Sequence, residues 1–275
     1  ADEGGSLLIP TLSKRIIDGI KAKSPMRQLA SVESISTRAL DVILEDGAFV
    51  SGWIAETTAR GDTATPQLRK KTIQTHEIYA QPKATQTLID DSEINIDNWL
   101  VERLTDSFVR LENEAFIAGD GNNKPFGLLS NDDVQKVQVG ANVEPDTLLS
   151  LINSLDEGHL ANASFLMNRM TLSALQGLRD GDGRFIWQQS MTDPLKQTVF
   201  GIPVVVSSHM PDIAENALSI AFGDFKSAYK IVDRSNISIV RDPYTDKPYV
   251  KFYTVKRVGG DVVNPGAMKF ARFAA

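Results

Sequence analysis

The sequence predicts an α+β protein. Three observations carry that reading. Helical stripes and alternating strands mix without a regular strand–helix beat. One long amphipathic helix stands out before the middle of the chain, and the last third reads almost entirely as strand. With 275 residues and 42% apolar content, the chain can bury about 70–75% of its extended surface without staples.

Taken in order, residues 1–10 (ADEGGSLLIP) read as an extended arm between glycines and Pro10. A helix follows, capped by Thr11 or Ser13, with Leu12, Ile16, Ile17 and Ile20 on one face, and Ser24-Pro25 stops it. Residues 39–46 alternate at Leu40, Val42 and Leu44, as a half-buried strand does. Residues 47–82 hold two further strand-like pieces, Phe49–Thr57 and Leu68–Gln81, joined by the turn-prone ARGDTATP. They read as a long-armed hairpin with little apolar surface of its own. A two-stranded ribbon is marginal in water, so it should lean on the body or on another chain.

The long helix is capped by Asp97 or Asn98 and ended by Gly119. Leu100, Leu104, Phe108, Leu111 and Ala115 form one stripe, while Val109 and Phe116 lie on another side, which predicts a helix covered on more than one side. Asp106, Arg110 and Glu114 are spaced to pair along the remaining face. Downstream, 146–157 reads as a helix capped by Asp146, Ser164–Met167 as a strand, and Arg169–Arg179 as a helix capped by Asn168. RFIWQQ, IPVVVSS, ALSIAF, YKIVD, NISIVR, YVKFYTVKRV and AMKFARF read as strands.

Composition narrows function. There is no cysteine, which excludes a thiol nucleophile, disulfides and a sulfur-based zinc site. His76, His159 and His209 are scattered, so no metal site and no cofactor is assigned. No apolar run approaches a membrane span. The first residues lack the basic start and apolar stretch of a signal peptide. The missing start Met leaves open a trimmed chain or a cut precursor. A net charge of −6 argues against tight binding of nucleic acid.

No motif supports catalysis, so the chain is read as a non-enzyme. Gly119-Asp120-Gly121 lacks the third glycine of a dinucleotide loop and follows a helix. Asp180-Gly181-Asp182-Gly183 lacks the carboxylates a calcium loop needs at its ends. His76 and Glu77 point to opposite faces of a strand, and Glu112 and Glu114 diverge on the helix. Arg69-Lys70-Lys71 is the densest basic run; it reads equally as a solvated hairpin edge or as a contact with an acidic site on a neighbouring chain.

Six blocks then carry a resemblance over nearly the whole length. They are Gly4–Pro10, Trp53–Glu56 through Lys70, Leu88–Ser92 with the long helix and AFIAGDGNNKPFGLL, Met167–Asp180 with GRFIW, Phe200–Val205, and Phe222–Phe225 through Arg234. In this order they resemble the major capsid proteins of tailed bacteriophages, the Hong Kong 97-like family. The resemblance implies an N-terminal arm at 1–28 and an extended loop at 47–82. It implies a peripheral domain at 29–46, 83–125 and 226–275, with a spine helix at about 97–118, and an axial domain at 126–225. It implies pentamers and hexamers of the chain itself, closed into an icosahedral shell around double-stranded DNA, with a portal and other head proteins as partners. The place is then a virion or gene transfer particle assembled in the bacterial cytoplasm, and the missing Met would reflect maturation. An encapsulin-like compartment around an enzyme cargo is the alternative. Subunit-interface candidates are Trp53, Glu56, Arg69, Lys70, Lys71, Val109 and Phe116. Some relatives join a loop lysine to an asparagine. Lys70 resembles that lysine, but Phe252 stands where the asparagine belongs, so no such bond is expected.

Overall fold

The computed structural model describes residues 3–46, 67–86, 96–141, 143–179 and 198–274. Helix α1 (Glu3–Lys23) leads into α2 (Pro25–Leu29), strand β1 (Ser31–Ile35) and β2 (Ala39–Asp46). After β3 (Gln67–Gln74), β4 (His76–Ala80) and β5 (Lys83–Thr85) comes the long helix α3 (Ile96–Ala118). Then follow β6 (Gln135–Val139), α4 (Pro145–Ser154), α5 (Glu157–Leu160), β7 (Ser164–Met167) and α6 (Arg169–Gln176). The chain ends with β8 (Thr198–Val199), β9 (Ile202–Val206), β10 (Leu218–Gly223), α7 (Phe225–Ala228), β11 (Tyr229–Asp246), β12 (Tyr249–Val262) and β13 (Met268–Phe273).

Two larger sheets organise these strands. One has the order β1-β11-β12-β4, with β5 also on β12; the other runs β6-β13-β10-β7-β9-β8. The antiparallel pair β2-β3 stands apart from both. One core joins the two larger sheets: Met26, Phe116, Leu166, Phe225, Tyr229, Val258, Met268 and Phe270 are buried together. A second core lies between the six-stranded sheet and helices α4 and α6, with Leu148, Leu151, Phe165, Leu172, Leu175 and Phe222. A third seats α1 and α3 on β11 through Ile16, Ile20, Leu104, Phe108, Ile237 and Ile239.

Several expectations are corrected. Residues 3–10, read as extended, belong to α1. Pro10 removes one backbone donor, but Leu7, Leu8 and Leu12 around it are good helix formers, and the helix continues through it. Helix α3 starts at Ile96, one residue before the expected caps. On α3 the stripe does not include Leu111, which is 39% exposed; Glu112 takes the inward position at 0%. Helix α4 is capped by Glu144 in a reciprocal box with Thr147, not by Asp146, because Pro145 already supplies its first turn. YKIVD and NISIVR form one strand, β11, with a register shift between Arg234 and Ser238. Finally, β13 does not stay with residues 226–262: it pairs with β10 and β6 in the other sheet. The turn at Pro265–Ala267 redirects it there, so its Phe270 and Phe273 fill the cores of that sheet.

An ion cluster fixes the joint between these layers. The Arg27 side chain on α2 donates from Nε to Glu112 Oε2 at 2.7 Å and from both terminal nitrogens to Asp233 at 2.6 and 2.8 Å. Lys256 on β12 donates to the other Glu112 oxygen and lies 3.6 Å from Asp233. Beside it, Ser24 Oγ donates to Asn113 Oδ1 at 2.7 Å. Burial alone would raise the Asp233 pKa, but Arg27 and Lys256 outweigh it and hold the carboxyl below the usual range. Burial likewise opposes the Arg27 charge, and Asp233 and Glu112 reverse the effect and push its pKa up.

Removing one member leaves an uncompensated buried charge, so Arg27→Met should cost about 3–5 kcal/mol in denaturant unfolding. Asp233 also sets an acid limit. Its folded pKa lies below its unfolded value, so its contribution is complete above about pH 4 and is lost as pH falls through the lower folded value. Urea midpoints measured from pH 6 down to pH 2 should show this loss, and Asp233→Asn should lack that component.

Candidate assembly interface

The β2-β3 ribbon is largely exposed. Its register runs from Ala39↔Gln74 to Asp46↔Gln67, so the expected hairpin is built differently. The partner of β3 among the described residues is β2, the strand read as separate; Phe49–Thr57 lies outside the described residues. Cross-strand pairs on both faces hold this register. Leu40 and Val42 lie opposite Ile73 and Lys71 on one face, and on the other the Asp41 carboxylate sits beside Lys70 and Thr72. The second arm also ends earlier than residue 82. At Thr75 the chain leaves β2, and His76–Ala80 joins β12 in the five-stranded sheet.

The basic run at the ribbon divides into three roles. Lys70 Nζ lies 2.8 Å from Asp41 Oδ2 across the ribbon. With Thr72, it holds the Asp41 carboxyl below the usual range. Lys71 turns inward, donating to Asp261 Oδ1 at 2.8 Å and to the Val262 carbonyl at 2.7 Å. Arg69 is exposed on the same face as Lys71, opposite Leu44 and at the mouth of the groove between ribbon and body. Ile43 and Leu68 are exposed on the other face, beside Lys70, at 67% and 68%. Between ribbon and body lies a groove of about 720 Å³, lined by Arg69, Lys70, Lys71, Asn131, Asp133 and Pro265 among others.

The ribbon is pinned at one point. Any side chain on Gly259 would strike the Gln74 carbonyl, so glycine lets β3 cross close over β12 there. The Lys71–Asp261 pair sits beside this crossing and fixes its direction.

The helix candidates separate. Val109 is half-buried against the α1–α3 core. Phe116 is fully buried inside the subunit, edge-on to Tyr229 at 6.0 Å and under the Arg27 guanidinium at 5.9 Å. It is therefore core and has no surface to offer a neighbour, which corrects that candidate. Trp53 and Glu56 lie outside the described residues. Phe252 is buried with Leu100 and Val250. What sequence reading missed is Asp261 as the ribbon's anchor: Lys71 and Asp261 are 190 residues apart, and no local pattern links them.

Comparison with known proteins gives a consistent picture. The profile of the phage capsid family matches residues 4–273. The major capsid protein of Escherichia phage T5 is 25% identical over 266 residues, which cover 90% of this chain. The chain spans 57% of the length of that relative. The capsid of a native GTA particle, computed with C5 symmetry, is 40% identical, with a TM-score of 0.82 over 92% of this chain and 91% of that one. The empty GTA particle gives 40% identity and 0.83, over 92% and 90%. A chain from Mycobacterium phage Cain, 15% identical with a TM-score of 0.65 over 92% and 90%, shares the fold.

Lys71→Met should loosen the ribbon without unfolding the body. Amide exchange should speed up at 67–74 and stay unchanged at 218–223. A double-mutant cycle with Asp261→Asn should return a coupling of about 1–2 kcal/mol, as for a charge-assisted, half-buried pair.

Proposed function

The chain belongs to the phage capsid family, and we propose that it is the major shell subunit of a phage or gene transfer agent particle. The observation that carries this is the likeness to the GTA capsid, at 40% identity over 92% of the chain. The relatives named above are virion and GTA capsids, which favours a DNA-filled shell over an encapsulin-like compartment. The role is structural, and the work of the chain is to bind copies of itself as pentamers and hexamers.

Under this reading the Hong Kong 97-like parts map onto the fold with revised limits. Helix α3 is the spine, and the five-stranded sheet with α3 is the peripheral domain. The six-stranded sheet with α4 and α6 is the axial domain, and it takes β13 from the end of the chain. The extended loop is rooted in β2 and β3. Arg69, Lys70 and Val109 remain interface candidates, and with them Ile43 and Leu68, whose exposure suits a surface that a neighbour covers. Interfaces in obligate assemblies often bury about 2,000–5,000 Å², and a projecting ribbon enlarges that area. The enclosed DNA need not be held tightly, in keeping with the net charge of −6. A portal would complete the head.

Electron microscopy of the protein from its native source, with analysis of particle contents, tests this. Closed shells containing DNA are the expected result. Shells with a protein cargo and no DNA, or a discrete small oligomer, would overturn it. A second expectation concerns the missing asparagine. Phe252 has no amide for an amine to attack, so mature particles boiled in detergent should run as a single band at the mass of one subunit. A covalent ladder would contradict this.

A further inference from the structure

Three non-glycine residues have positive φ among the described residues: Asn123, Asn216 and Phe200. Asparagine tolerates that region; a bulky aromatic does not. Phe200 has φ +52° and Gly201 φ +79°, and together they connect β8 to β9, whose last pair is Val199↔Ile202. A two-residue connection with both φ positive prefers Asn-Gly. The ring is not part of the subunit's own core, for Phe200 is 53% exposed. The buried neighbour Val199 roots the hairpin in the core of the six-stranded sheet. A strained, solvent-facing aromatic on a rooted hairpin is a local cost with no local gain, and such costs mark contact or functional sites.

We propose that Phe200 is an anchor of the contact between copies of this chain, and that it packs against α4 of the next copy, at Leu149. The proposal rests on the shell reading above. Two observations select this occupant. The 40%-identical capsid was computed with five-fold symmetry, in which identical chains repeat around one axis. A ring requires a heterologous contact, one surface of a copy meeting a different surface of the next. The sheet order supplies two such surfaces: β8 lies at one edge, and β6, with α4 packed beside it, at the other. On α4, Leu148 and Leu151 are buried while Leu149 is exposed. Opposite edges of one sheet thus carry an exposed aromatic and an exposed aliphatic side chain, as closure of a ring demands.

The chain has no cysteine, so an introduced pair can be read cleanly. Phe200→Cys combined with Leu149→Cys, assembled into particles and oxidised, should give a ladder on non-reducing gels that ends at the ring size. Neither single substitution should give it. Phe200→Asn provides an independent readout with opposite signs. It should raise the melting temperature of the unassembled subunit by about 2–4 °C, as relief of strain does in a chain of this size, and raise the concentration needed for assembly at least about tenfold. Particles of the double variant that run as monomers, or a Phe200→Asn chain that assembles as the unsubstituted one does, would overturn this contact and leave the shell reading intact. An unsubstituted chain that forms neither rings nor shells would overturn both.

Discussion

The buried contact of Arg27 with Glu112 and Asp233, completed by Lys256, is the constraint on which the rest of the subunit depends. Taking these charges out of water is costly, and a hydrophobic set of the same shape would often be no less stable. What the ions add is direction. An apolar face can slide or rotate by part of a turn with little loss, but a bidentate guanidinium on a carboxylate cannot. With Glu112 held inward, α3 has one rotation: Phe116 enters the shared core and Leu111 faces out. With Arg27 held on Asp233, α2 is fixed on β11, and α1 must then run beside α3. The α1–α3 contact is close enough that a side chain at Gly19 would come within 2.9 Å of Thr105.

From that joint the subunit extends in two directions with different stiffness. Toward the six-stranded sheet the connection is broad and apolar, since Phe225, Met268 and Phe270 pack with Met26 and Phe116 in one core. The two sheets therefore move as one body unless that core opens. Toward the β2-β3 ribbon the connection is narrow: one glycine crossing and one lysine with two acceptors. Two-stranded ribbons of this kind have little stability of their own. The ribbon's register and its angle to the body are set separately, because the ladder and the anchor are separate sets of bonds.

What could be read from the sequence was whatever short stretches decide. Strand β7 matched its expected limits, the Asn168 cap of α6 is present, and the end of α3 at Gly119 fell where expected, because capping and periodicity act within a turn or two. The pairing of β2 with β3 was missed because two strand-like segments lay within reach of β3 and alternation alone cannot rank them. The transfer of β13 to the other sheet was missed because nothing inside MKFARF names its partner. The ion cluster was least legible. Arg27 and Glu112 are 85 residues apart, Arg27 and Asp233 206, and Lys256 and Glu112 144. Read alone, Glu112 looked like one more polar residue on a helix, and Leu111 beside it looked like core. Only the assembled neighbourhood shows that a carboxylate can displace a leucine from a buried stripe when two cations meet it.

The cluster also bears on how the protein meets its surroundings. Arg27 and Lys256 balance Glu112 and Asp233, so the buried set adds nothing to the net charge of −6. The whole surplus belongs to the rest of the chain, where it acts on solvent and neighbours. At physiological salt its reach is about 8 Å, so it opposes phosphate chains only at close approach. Copies of the chain feel the same repulsion at their mutual contacts, and it must be overcome there by apolar area. Exposed apolar side chains are available for that requirement, among them Ile43 and Leu68 on the ribbon, Leu149 on α4 and Phe200 on the β8-β9 turn. A surface that is acidic overall and apolar in patches binds selectively, because like charge opposes most approaches and only meeting apolar patches offset it.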